Sequence, residues 1–85
     1  MNPFRGEFTN SAKRELSALQ RDIQEDIATA IRAIIQNPYL LGFRKLRGDD
    51  CLRYRVRDFR ILYSVDQKNR VITFVAIKNR KDVYR

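Results

Sequence analysis

The sequence predicts an α+β fold in which a pair of helices packs on one face of a single β-sheet. Between Ala12 and Ile34 the apolar residues recur at helical spacing, whereas between Leu52 and Val65 they alternate with a period of two. Asn37–Pro38 separates the two regimes, and proline cannot continue a helical hydrogen-bond ladder. Helices and strands that are each apolar on one side satisfy both surfaces by stacking them.

Taken in order, Phe4, Gly6 and Phe8 alternate with Arg5 and Glu7, which predicts a short first strand. Thr9–Asn10–Ser11 is a cluster of N-cap residues, after which Ala12, Leu16 and Leu19 form a helical stripe. Asp22 followed by Glu25 has the form of a capping box for a second helix. That helix carries the clearest stripe in the chain, Ile23, Ile27, Ala30, Ile31 and Ile34, with Gln24, Glu25, Thr29 and Arg32 facing water. With so few residues between them, the helices are expected to form an antiparallel hairpin. Tyr39 to Arg44 reads as a connector, and Lys45–Leu46–Arg47–Gly48–Asp49–Asp50 as a basic segment followed by turn formers. A three-stranded antiparallel meander follows, with strands near Leu52–Val56, Phe59–Val65 and Val71–Ile77 and a polar turn at Asp66–Gln67–Lys68–Asn69. Val71–Ile77 is apolar on both sides, as a central strand should be. The whole chain, 1–85, is expected to be one domain.

The first two strands of the meander sort their charges. If Arg57–Asp58 is a two-residue turn, Val56 faces Phe59, Tyr54 faces Ile61 and Leu52 faces Tyr63. One side of the hairpin is then Leu52, Tyr54, Val56, Phe59, Ile61, Tyr63 and Val65, and the helices should cover it. The other side carries Arg53, Arg55 and Arg60 with Leu62 and Ser64, and is expected to stay open. Moving the turn to Asp58–Phe59 shifts the register by two and leaves the sorting intact.

Composition narrows the function. Eighteen Lys and Arg against ten Asp and Glu give a net charge of +8 on 85 residues, which favours a polyanionic partner. Cys51 is the single cysteine, so neither a disulfide framework nor a zinc cluster is available, and a reducing, cytoplasmic setting fits. No apolar run approaches the roughly 18 residues of a membrane span, and no membrane partner is expected. With no histidine in the chain, any acid–base chemistry falls to Tyr, Lys, Arg, carboxylates or the substrate itself.

Three blocks carry a family resemblance: Lys45–Leu46–Arg47–Gly48, then Tyr54 through Tyr63 (Tyr-Arg-Val-Arg-Asp-Phe-Arg-Ile-Leu-Tyr), then Asn79–Arg80–Lys81–Asp82–Val83–Tyr84. They resemble the signature blocks of the RelE/ParE toxin superfamily, whose order of elements also matches across essentially the whole chain. The RelE-like branch implies the toxin of a type II toxin–antitoxin pair, a ribosome-dependent mRNA endoribonuclease that inhibits translation. It implies catalytic positions at Arg53, Arg55, Arg60, Arg80 and Tyr84. The flanking cations Lys45, Arg47, Arg57, Lys78 and Lys81 are the expected nucleic-acid contacts. The partners so implied are an acidic antitoxin in a hetero-oligomeric complex, the ribosomal A site and mRNA, with no cofactor or metal. The ParE-like branch implies a DNA gyrase inhibitor instead, and a non-catalytic nucleic-acid-binding module is the third reading.

One departure from the RelE-like pattern bears on chemistry. Where that pattern has two lysines, the second implicated as a base, this chain has Arg53 and Arg55. An arginine, with a pKa above about 12, does not give up its proton, so Arg55 is assigned to stabilising phosphoryl charge. Tyr84, with its phenol pulled down by nearby cations, becomes the candidate base; its alternative role is to stack on a nucleobase. Arg80 is expected at the leaving 5′-oxygen and Arg60 on the phosphate.

Overall fold

The computed structural model of the protein describes residues 3–39, 44–45 and 51–79, the 44–45 pair by its backbone. Their order is β1 (Arg5–Phe8), α1 (Asn10–Ser17), α2 (Arg21–Gln36), β2 (Arg44–Lys45), β3 (Cys51–Val56), β4 (Phe59–Asp66) and β5 (Val71–Asn79). The five strands form one sheet in the order β1-β5-β4-β3-β2. β3, β4 and β5 are the expected antiparallel meander, and β1 closes the far side by pairing parallel to β5. The α+β architecture with helices on one sheet face is as the hydrophobic pattern requires.

Burial explains the arrangement. The stripe of α2 supplies Ile27, Ala30, Ile31 and Ile34 to the core, and the sheet supplies Leu52, Ile61, Tyr63, Ile72, Phe74 and Ile77. Tyr54, Val56 and Phe59 pack on its margin. Tyr63 is fully buried, and its hydroxyl donates to the Pro38 carbonyl at 2.7 Å, tying the sheet to the exit of α2. Gly6 sits where β1 passes under α2: a Cβ there would lie 2.9 Å from Ile35 Cδ1 and 3.2 Å from Phe74 Cε2. The close approach favours glycine.

Three expectations need correction. Thr9 caps α1 as anticipated, its hydroxyl accepting from Ala12 N, but α2 has no capping box. Its N-cap is Gln20, with no side-chain cap bond, and Asp22 faces Arg57 instead. The turn between the helices is held by Gln24, whose amide donates to Leu16 O at 2.9 Å and more distantly to Ser17 O. Second, the connector ends early, because Arg44–Lys45 pair with Arg53 and Leu52 as the edge strand β2. Two residues of pairing are too few to leave a periodic signal. Third, the arginine-bearing face is not uniformly open, since Arg60 is only 7 % exposed.

Candidate nucleic-acid interface

The β3–β4 register has Arg57–Asp58 in the turn, with Val56 opposite Phe59, Tyr54 opposite Ile61 and Leu52 opposite Tyr63. Arg55 is consequently opposite Arg60, and Arg60 is opposite Lys78 on β5. Residues directly opposite share a sheet face. Three cations from adjacent strands therefore form a row across the side of the sheet away from the helices. One step along the strands, Arg53 is opposite Leu62, and Leu62 is opposite Ala76. The next step, Cys51–Ser64–Thr73, is small and uncharged. Strands lie roughly 4.8 Å apart, so the row is about 10 Å long.

Exposure differs along the row. Arg55 is exposed, Arg53 and Lys78 are half-buried and Arg60 is buried. Arg55 Nε donates to the carbonyl of Arg57 at 3.2 Å, which fixes the plane of its guanidinium. A shallow groove of about 320 Å³ runs beside it, between Tyr54, Arg55 and Val56 of β3 and Asp26, Thr29, Ala30 and Ala33 of α2. In chemical terms, planar guanidiniums held on a stiff sheet can grip a phosphate with little reorganisation. Among the described residues no group of three or more His, Cys, Asp and Glu is placed to hold a metal ion.

The structure engages two of the expected contacts within the chain. Arg57, in the left-handed region with φ 55°, reaches α2, where Nε lies 2.7 Å from Asp26 and Nη1 3.3 Å from Asp22. The Asp26 carboxylate, seconded by a hydrogen bond to Asp22, raises the Arg57 pKa above its ordinary value. Lys78 is ion-paired to Glu15 of α1, whose other carboxylate oxygen accepts from Ile77 N at 2.9 Å. Of the other expected contacts, Lys45 lies in β2 opposite Leu52. Arg47, Arg80, Lys81 and Tyr84 lie outside the described residues.

Sequence reasoning missed two features of this face. Arg44 pairs in register with Arg53, bringing another cationic position alongside the row. The adjacent Arg44–Lys45 cations were its only signal. Glu15 was missed entirely, because nothing in the local pattern links it to a strand more than sixty residues away.

Comparison with known proteins agrees with this architecture. The family model described as the ParE toxin of type II toxin–antitoxin systems matches residues 7–84. A RelE-like toxin protein of Escherichia coli is 31% identical over 86 residues, covering 95% of this chain and 90% of that one. Among solved structures, the archaeal RelE–RelB complex from Pyrococcus horikoshii OT3 superposes with a TM-score of 0.81 at 24% identity, covering 93% of this chain and 97% of that one. The isolated Escherichia coli RelE toxin superposes with a TM-score of 0.80 at 24% identity, covering 98% and 92%. At those identities the superpositions speak for the fold, and the family match and the sequence relative speak for descent. This chain belongs to the RelE/ParE superfamily of type II toxin–antitoxin toxins.

Proposed function

We propose that the protein is a ribosome-dependent mRNA endoribonuclease held in check by an acidic antitoxin. The observation that carries this reading is the convergence of Arg53, Arg55 and Arg60 on one face of the sheet, with Lys78 in the same row. In the reaction the ribose 2′-oxygen attacks the adjacent phosphorus, the P–O2′ bond forms and the P–O5′ bond breaks. The products are a cyclic phosphate and a fragment with a 5′-hydroxyl. Negative charge accumulates on the phosphoryl oxygens, and arginine forks offset that charge where they stand. Buried Arg60 holds the phosphate and exposed Arg55 stabilises the transition state and acidifies the 2′-hydroxyl through its positive field. Tyr84 serves as base and Arg80 assists the leaving oxygen. The family resemblance implies these roles, and the RelE-like relative supports the toxin reading.

Because the chain has no histidine and Arg55 does not give up its proton, the scissile phosphate is expected to depend on the ribosome for its alignment. Single-turnover cleavage on programmed ribosomes and on the same message without them tests this. Fast cutting is expected only on ribosomes, and equal rates on both would overturn it. The family match also favours a second reading, inhibition of DNA gyrase. A supercoiling assay decides between them: gyrase inhibited while messages stay intact selects the second reading.

The antitoxin partner follows from the family and from the charge of the face. The homologous RelE chains of Pyrococcus horikoshii and Escherichia coli crystallise with RelB. An acidic segment lying along the Arg55–Arg60 row would neutralise the site and block the message at once.

A further inference from the structure

We propose that Glu15 withholds Lys78 from the nucleic-acid face, setting the protein's affinity for RNA below what the sheet's cations alone would give. The inference rests on the reading of that face as an RNA surface.

Lys78 has the position of a phosphate ligand. It is directly opposite Arg60, which is opposite Arg55, so all three share a face. Its ammonium is nevertheless held by the carboxylate of Glu15 on α1. The same carboxylate accepts from Ile77 N at 2.9 Å, at the edge of β5 beyond the last β1 partner, Phe8 opposite Phe74. Glu15 thereby closes a stretch of open sheet edge and occupies a cation in one stroke. The side chains are 20% and 42% exposed, so solvent screens the pair less than it screens the more exposed Arg21–Glu25 pair. A phosphate approaching Lys78 must displace a carboxylate already in contact, and meets its negative charge while doing so.

Glu15→Gln separates the two roles. An amide oxygen still accepts from Ile77 N, while the negative charge on Lys78 is gone. The measurement is binding of a labelled 2′-O-methyl oligoribonucleotide of about 12 residues, which cannot be cleaved, between about 50 and 300 mM salt. Glu15→Gln is expected to bind about 3- to 10-fold tighter at the low-salt end. Its log–log salt slope should steepen by about 0.7, the value of one further phosphate contact on a single strand. Adding Lys78→Met should return affinity to near wild type, whereas Glu25→Gln, an equal change of charge on α2, should have no such effect. Unchanged affinity in Glu15→Gln, or a gain that survives Lys78→Met, overturns the proposal. In the wild-type chain, RNA should shift the Arg55 Nε resonance and leave Lys78 Nζ unmoved; equal shifts overturn it without any variant. Arg55→Ala keeps the two levels apart. If it weakens binding while Glu15→Gln is silent, only the Glu15 inference falls. If it binds like wild type, the RNA-binding face falls as well.

Discussion

Arg60 and Arg55 are opposite one another in the sheet yet differ in physical situation. Arg60 is 7% exposed, so most of its side chain is part of the packing, whereas Arg55 is exposed. Truncating Arg60 to Ala should therefore cost about 1–3 kcal/mol of stability as well as activity. Arg55→Ala should lower turnover by about 100- to 1,000-fold, the scale of a lost oxyanion donor, with the melting temperature nearly unmoved. Arg32→Ala, on the water face of α2, removes the same charge and should change neither. Single-turnover rates on programmed ribosomes with parallel thermal melts check all three, and equal losses for Arg32→Ala and Arg55→Ala would point to net charge alone. Tyr63 gives a residue-scale pH dependence. Burial, with smaller contributions from Tyr39, Tyr54 and Cys51, pushes its pKa from 10.0 up to about 12. The unfolded chain loses this proton first, so its contribution to stability is present in full below pH 10 and is lost as pH rises toward 12. Tyr63→Phe should lose about 1–2 kcal/mol near neutral pH, because the buried Pro38 carbonyl loses its donor, and should flatten the alkaline part of the stability curve.

The β3–β4 hairpin and α2 meet at the Arg57 clamp. The turn places a non-glycine residue at φ 55°, a conformation that disfavours a Cβ, and the ion pairs to Asp22 and Asp26 offset that cost. Arg57→Gly relieves the backbone and loses the pairs, whereas Arg57→Ala loses the pairs and keeps the strain. Melts should rank wild type first, Gly second and Ala last, and high salt should narrow the gap between wild type and Gly. An Ala variant melting above the Gly variant would show that the turn carries no such strain. A second contact between elements is at Gly6. The Ile35 methyl can swing away from an added Cβ, but the Phe74 ring, stacked on Phe8 at 4.9 Å and tilted against Tyr63, has little room. Gly6→Ala should cost about 1–2 kcal/mol in denaturant titrations.

At the scale of the whole molecule, the net charge of +8 is distributed, not uniform. Glu7, Asp22, Glu25 and Asp26 pair with Arg5, Arg57 and Arg21, while Glu15 pairs with Lys78. The acidic residues of β1, α1 and α2 are thus engaged, and Arg53, Arg55 and Arg60 share one side of the sheet. If those three arginines make the phosphate contacts, log affinity for single-stranded RNA should fall with log salt at a slope of about −2, from roughly −0.7 per contact. A slope near zero would mean that base stacking holds the RNA instead. None of the described helices is long and apolar enough to cross a membrane.

What the sequence alone determined is whatever a short stretch of chain dictates by itself. The helical stripe of Ile23, Ile27, Ala30, Ile31 and Ile34 and the strict alternation from Leu52 to Val65 are local repeats, each pointing one side of an element inward. They identified the α+β architecture, the buried face and the side on which Arg53, Arg55 and Arg60 gather. The hairpin register was equally legible, because its two strands are joined by a two-residue turn and a slip by one would have buried the arginines. What only the tertiary structure decided depends on surfaces distant in sequence: β1 beside β5, Arg60 drawn out of solvent, and Arg57 spent on Asp22 across 35 positions. The Glu15–Lys78 pair spans 63 positions. A charged residue has the same local signature whether it ends in water, on a phosphate or against a carboxylate of another element. Packing brings the partners together, and so packing decides which cations remain to meet a ligand.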